Sequence, residues 1–160
     1  LIDTGSMKCA DISRADFDKY RLNPHDVLFN RTNSYELVGK TGMFDLPGEY
    51  CFASYLVRVQ LDASILLPEY LNYLMNSGSF QSSIKKKASR SINQANINAT
   101  ILANEVIRFP RSVATQREFV TRLNVLRGQS KCLAALYRRK LAALNDLKKS
   151  LLHQAFTGQL

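Results

Sequence analysis

From Thr115 to Phe156 the chain has no proline and a single glycine, Gly128, and its apolar residues recur at helical spacing. Phe119, Leu123, Leu126, Leu133, Tyr137, Leu144, Leu147, Leu151 and Ala155 follow one another three, four or seven places apart, a mean of about 3.6 residues per helical step. Ahead of them, Thr115-Gln116-Arg117-Glu118 has capping-box spacing. Thr115 is predicted to accept from a backbone N–H and Glu118 to reach back to the cap. Thr157-Gly158 supplies the stop, because Gly158 can take the left-handed conformation that closes many helices. A helix of about forty residues is on the order of 60 Å long, roughly twice the width of a small domain. Its apolar stripe, with Leu126, Leu133, Tyr137, Leu144, Leu147 and Leu151 as its seam, is therefore predicted to outrun its own domain and to need a partner helix.

The roughly 110 residues before it mix short helices and strands, an α+β pattern. Ser13-Arg14-Ala15-Asp16 predicts a capped helix over 14–20. Asn23-Pro24-His25-Asp26 reads as a turn and Val27-Leu28-Phe29 as a strand. Gly39, Gly42 and Pro47-Gly48 punctuate a chain of β character. The run Tyr50–Leu61 is the strongest strand candidate, rich in aromatic and β-branched residues. Pro68 opens a helix to Met75, Ser77-Gly78 breaks it, and a second helix is predicted over 79–87. Residues 88–100 read as a polar loop, and Val106-Ile107-Arg108-Phe109 as a short strand stopped by Pro110. The expected division is a globular domain over 1–113 and a helix over 114–160.

Charge is unevenly placed. Residues 1–84 carry seven Lys/Arg and ten Asp/Glu, whereas residues 85–160 carry fifteen and three, so balances of −3 and +12 make up the net +9. The basic half suggests a polyanion such as DNA or RNA; a solvated helix face is the alternative. Cys9, Cys51 and Cys132 are far apart and lack C-x-x-C spacing, so they are expected to be reduced thiols packed as small hydrophobes. No signal peptide or membrane span is visible, which points to a cytoplasmic location. The chain does not start with Met, which suggests a fragment or processed product, with Gly5-Ser6-Met7 either native or a cloning remnant.

Catalytic constellations are missing. His25 and His153 have no matched carboxylate or cysteine, and there is no phosphate-binding glycine loop or dinucleotide fingerprint. Asn23-Pro24-His25-Asp26 matches the Asn-Pro-Pro-aromatic motif of amino methyltransferases only superficially. Asp45 and Glu49 lack the Glu-x-Lys that a nuclease would add. No metal or cofactor is signalled. Binding chemistry is better represented. Asn30-Arg31-Thr32-Asn33-Ser34 follows a strand with side chains suited to base edges, since Arg can grip guanine and Asn adenine; a plain polar turn is the alternative. In the segment Lys85–Asn96, Lys85, Lys86 and Lys87 suit phosphates, while Arg90, Asn93, Gln94 and Asn96 suit bases.

Four landmarks then carry a resemblance: the stretch from Leu22 to Lys40 around Asn30-Arg31-Thr32-Asn33-Ser34; Pro68-Glu69-Tyr70-Leu71; Asn93–Asn98 with Val106–Pro110; and Leu147–Leu160, ending Gln154-Ala155-Phe156-Thr157-Gly158-Gln159-Leu160. Together they are similar to a target-recognition domain plus conserved helix from the specificity subunit of a bacterial type I restriction–modification system. The chain departs from the family's Pro-Pro-Leu-x-Glu-Gln before the helix, keeping only Gln116, and a full recognition domain would have further strands before Leu1. The resemblance implies recognition of one half-site of a bipartite double-stranded DNA target, with the helix as an antiparallel coiled-coil spacer. It also implies methylation subunits and a restriction motor subunit as partners, and no catalysis by this chain. The resemblance does not say which residues touch bases; side-chain chemistry points to Arg31, Asn33 and Ser34 for bases or nearby phosphates, Arg90, Asn93, Gln94 and Asn96 for bases, and Lys85, Lys86 and Lys87 for phosphates. Self-association through the helix is expected. Two other readings stay open at this point: an assembly module without DNA contact, and the recognition end of a fused restriction–methylation enzyme.

Overall fold

The computed structural model describes Met7 and residues 9–158, so Leu1–Ser6 and the last two residues of the closing landmark, Gln159 and Leu160, lie outside the described residues. The chain divides into two compact units, Leu1–Val120 and Thr121–Leu160. The first contains α1 (Arg14–Tyr20), β1 (Val27–Asn30), β2 (Thr32–Asn33), β3 (Thr41–Met43), β4 (Leu56–Val59), α2 (Pro68–Met75), α3 (Gly78–Lys86), β5 (Ser89–Arg90), β6 (Ala95–Asn96) and α4 (Ala99–Ala103). The helix α5 (Val113–Phe156) begins there and makes up most of the second unit. The strands form two antiparallel sheets, ordered β3-β1-β4 and β2-β6-β5. The expected α+β class with a long C-terminal helix is what the structure shows.

Local chemistry accounts for most element ends. Ser13 caps α1 by accepting from the Asp16 N–H at 3.1 Å. Pro68 sits in the first turn of α2, where a missing N–H costs nothing. Ser77 caps α3 through the Phe80 N–H, so the break after α2 also starts the next helix. In the turn before β1, the buried Asp26 carboxylate accepts from the Asn23 N–H at 2.8 Å. His25 is held there at φ 71°, a left-handed conformation that costs a non-glycine residue about 1 kcal/mol.

β1 is the middle strand of its sheet and is covered on both faces. Val27 and Phe29 enter the main core with Val38, Leu71, Met75, Ile84, Ala95 and Ile97. Leu28 meets a smaller cluster with Leu22 and Phe44, where Phe44 packs edge-on against Tyr50 at 5.5 Å. Burial on both sides explains why this strand is a continuous apolar run rather than an alternating one.

The structure departs from the sequence-based expectation in five places. The Tyr50–Leu61 run is a strand only at Leu56–Val59, because β1 offers four pairing residues. Its beginning pairs elsewhere: the Leu22 N–H donates to the Tyr50 carbonyl and the Phe52 N–H to the Tyr20 carbonyl. Residues 88–100 are not a simple loop but contain the β5–β6 hairpin and the start of α4. Val106–Phe109 forms no strand: Ile107 and Phe109 pack on the main core, while Val106 is 84% exposed. The start of α5 is Val113, capped by the Ser112 hydroxyl accepting from the Thr115 N–H at 3.3 Å, so Thr115 lies inside the helix rather than at its cap. Cys9 and Cys132 are exposed and only Cys51 is partly covered, so the thiols are not core packing.

Gln116, the residue kept from the pre-helix motif, is fully buried. Its Oε1 accepts from the Leu67 N–H at 2.9 Å, and its Nε2 donates to the carbonyls of Ile65 at 2.9 Å and Pro110 at 2.7 Å. One amide thus satisfies three backbone groups where the chain enters α2 and leaves the domain for α5. The second unit is a helix whose seam residues are about half exposed, from Leu151 at 45% to Leu144 at 62%. Gln116→Leu keeps the volume but leaves those three groups without partners, and is expected to lower stability by about 3 kcal/mol in urea unfolding.

Candidate nucleic-acid interface

The second sheet assembles the site. Its strands are two residues long, with Thr32 opposite Asn96 and Asn33 opposite Ala95 on one side, and Ser89 opposite Asn96 and Arg90 opposite Ala95 on the other. β6 is held from below by Ala95 and Ile97, both buried in the main core. The two polar segments singled out in the sequence, some sixty residues apart, are therefore neighbours in one small sheet. Asn96 Nδ2 donates to the Thr32 hydroxyl at 2.6 Å and locks them together. Beside the sheet lies a groove of about 470 Å³ lined by Thr32, Asn33, Ser34, Tyr55, Asn93 and Gln94.

Each candidate residue has a defined place. Arg31 links β1 to β2 and is half-buried; its Nε and the adjacent Asn30 Oδ1 are buried without a hydrogen-bond partner. Asn33 Oδ1 accepts from the Ser34 N–H at 2.8 Å, and the Ser34 carbonyl accepts from the N–H groups of Leu37 and Val38, starting a turn. Asn93 and Gln94 lie on the β5–β6 turn, closed by the Ser91 N–H donating to the Gln94 carbonyl at 2.8 Å. At its tip Ile92 is 99% exposed.

The cations are sorted by their partners. Arg90 lies 3.7 Å from the centroid of the Tyr35 ring, and Lys85 lies 5.7 Å from the same ring. Lys85 Nζ also donates to the Glu36 carbonyl at 3.0 Å. The Glu36 carboxyl is held below its ordinary pKa by its own backbone N–H, then by the Ser34 hydroxyl and by the nearby Lys85 charge. Lys86 is exposed. Lys87 points away from the group, onto the nearly covered carboxylate of Glu105, which Ser83 also contacts. Thus Arg31, Asn33, Ser34, Asn93, Gln94 and Asn96 gather at one sheet and groove, Lys85 and Arg90 gather at Tyr35, and Lys87 joins neither.

Tyr35 and Tyr55 escaped the sequence reading, while Thr32 and Ile92 lie within its polar segments without being chosen as contacts. Tyr35 directly follows the Asn/Ser stretch, but the cations on its ring are about fifty residues away, and no local pattern signals that contact. A second cleft of about 410 Å³, lined in part by Asn23, His25, Gln60 and Leu67, has the carboxylates of Asp26 and Glu69 as its charged groups, which repel a polyanion. Among the described residues, no cluster of His, Cys, Asp and Glu could hold a metal ion. No helix among them is long and apolar enough to cross a membrane.

Lys87 and Ser83 hold the Glu105 carboxyl below its usual pKa. A carboxylate depressed in the folded state adds stability above its unfolded pKa and loses it as pH falls through the folded value. Glu105→Gln is expected to cost about 1 kcal/mol at neutral pH, discounted for the half-exposed Lys87. The gap between the two proteins should close as pH falls below about 4, as read by thermal unfolding across pH.

No family model matches the chain. Curated proteins do. The type I restriction enzyme EcoKI specificity subunit of Escherichia coli (strain K12) is 26% identical over 99% of this chain and 34% of its own length. The type I restriction enzyme StySPI specificity subunit of Salmonella potsdam is 28% identical over 89% of this chain and 31% of its own. The chain spans about a third of the length of these relatives.

Proposed function

We propose that this chain, like the type I restriction enzyme specificity subunits it resembles, serves in DNA target recognition, and that it reads one half-site of a bipartite double-stranded target. The observation that supports this reading best is the β2–β6 pairing. It brings Asn33 and Ser34 beside Asn93 and Gln94 around one groove, with Arg31 and Asn96 at the adjoining sheet and Lys85, Lys86 and Arg90 on neighbouring elements. Asn and Gln amides match the paired donor and acceptor of adenine, and Arg matches the two acceptors of guanine. Exposed lysines add sequence-independent phosphate contacts. Lys87, already paired with Glu105, has the least to give.

The functional division follows the sequence boundary: residues 1–113 read, and the helix over 114–160 spaces and docks. The chain carries no catalytic role; methylation subunits and a restriction motor subunit act on the DNA it selects, in the cytoplasm. The helix pairs antiparallel with a second conserved helix of its kind, burying Leu126, Leu133, Tyr137, Leu144, Leu147 and Leu151. Each of these residues is about half covered already, so full burial adds roughly 1 kcal/mol apiece.

Three measurements test the reading. Titration of the purified chain with fluorescent duplex DNA should show affinity falling steeply with salt. Lys85→Ala and Lys86→Ala should each flatten the log–log salt slope by about one, whereas Arg31→Ala should relax discrimination between duplexes by about 1–3 kcal/mol. Footprinting that finds no protection of any duplex would overturn DNA recognition in favour of an assembly module. Light scattering at tens of micromolar should report a dimer that Leu133→Lys with Leu144→Lys converts to monomer; a wild-type monomer would overturn helix pairing.

A further inference from the structure

The cations beside the groove are arranged around an uncharged ring. Tyr35 lies in the turn opened by Ser34, whose carbonyl accepts from Leu37 and Val38, and Val38 is fully buried in the core. The turn is thus anchored at one end in the domain and at the other in the groove wall. Arg90, on β5, lies over the ring at 3.7 Å; Lys85, in the last turn of α3, lies at 5.7 Å and is tied to the carbonyl of the next residue, Glu36. One side chain therefore connects a turn, a helix end and a strand.

The two cations differ in what they have left to offer. Lys85 has a carbonyl partner and a carboxylate close enough to feel its charge. Among the described residues, Arg90 has the ring and no carboxylate within ion-pair distance or hydrogen-bond acceptor. With its carbon 3.7 Å from the ring centroid, the Arg90 guanidinium lies over Tyr35 and keeps its N–H donors in its own plane. An exposed contact of this kind adds little to stability. What it does is fix the orientation of a side chain that otherwise samples many rotamers, so less ordering entropy is lost when the fork meets an acceptor pair.

We infer that Tyr35 is a positioning residue whose ring orients the Arg90 guanidinium to grip a guanine of the half-site through its O6 and N7 acceptors. This rests on the DNA-recognition reading above. It assigns a role to a side chain outside the candidate base contacts and names the base that Arg90 takes.

The full chain would first be used to enrich duplexes from a random-sequence pool at near-physiological salt, and the enriched duplex becomes the probe. Tyr35→Ala should weaken binding to it about tenfold while leaving its salt slope and its affinity for an unrelated duplex unchanged. Tyr35→Phe, which keeps the ring face, should stay within about threefold of wild type. Guanines of the probe would then be replaced one at a time by 7-deazaguanine. One replacement should weaken wild-type binding about fivefold and have no further effect on Arg90→Ala or Tyr35→Ala. In the free protein, the Arg90 side-chain protons should show an upfield ring-current shift that Tyr35→Ala removes. If wild type enriches no duplex, the DNA reading fails and the inference with it. If wild type enriches one, the inference alone falls when Tyr35→Ala binds it equally well, when no guanine couples to Arg90, or when the ring-current shift is absent. A merely structural Tyr35 would lower affinity for both duplexes together, which also overturns it.

Discussion

Both sheets depend on the backbone of Arg31. Its N–H donates to the Tyr55 carbonyl at 3.0 Å and its carbonyl accepts from the Ile97 N–H at 2.8 Å. One extended stretch thus leaves the β3-β1-β4 sheet and enters β2-β6-β5 with the backbone groups of the crossing residue paired. The second sheet could not stand alone, since two-residue strands are far too short to be stable without support. It exists because β1 is buried on both faces upstream, and because Ala95 and Ile97 descend into the same core. Placement of the groove is therefore set by apolar burial that the groove residues themselves do not supply.

Net charge is a poor guide to which cations face a ligand. In the first unit Arg14 lies near Asp18 and Glu49, Arg58 donates to the Arg21 carbonyl and stacks on Phe52, and Lys87 is matched by Glu105. Lys85, Lys86 and Lys87 look equivalent as a run, yet helix geometry turns them about 100° apart, so they meet different surroundings. One finds a carbonyl, one stays exposed and one finds a carboxylate. Arg31 and Arg90 stand apart because their guanidinium groups lie beside the small sheet with donor capacity in hand.

Much of the architecture was legible because local rules and burial agreed. The Ser13 cap, Pro68 at a helix start, the apolar run of β1 and the left-handed Gly158 all act within a few residues. Failures came where a partner distant in sequence decides. Tyr50–Leu61 has strand composition throughout, but its two ends pair with different neighbours. Val106–Phe109 has strand composition and no ladder to join, while Ser89–Asn96 has loop composition and forms a hairpin because β2 offers an edge. Thr115 lost the cap to Ser112 because Gln116, one residue on, is drawn into the core by three backbone groups. The groove residues were legible as chemistry, since Asn, Gln and Arg are conspicuous in a polar segment. Their shared groove was not, because it is made by β2–β6 pairing, and neither was Tyr35, whose partners come from α3 and β5.

The same arrangement separates the residues that hold the site from those that face outward. Anchoring is done by main-chain bonds at Arg31, by the turn from Ser34 to Val38, and by the buried side chains of Val38, Ala95 and Ile97. Asn33, Ser34, Asn93 and Gln94 project from that frame on turns and edge positions, and none of their side chains belongs to either core cluster. A substitution among them changes the donors and acceptors in the groove while the burial that stabilises the sheet stays in place. Asn96 is the exception, since its bond to Thr32 ties β6 to β2 and a change there disturbs frame and groove together. A surface built this way can exchange the donors and acceptors of its groove without refolding, as long as new side chains leave the Arg31 crossing and the Asn96–Thr32 bond intact.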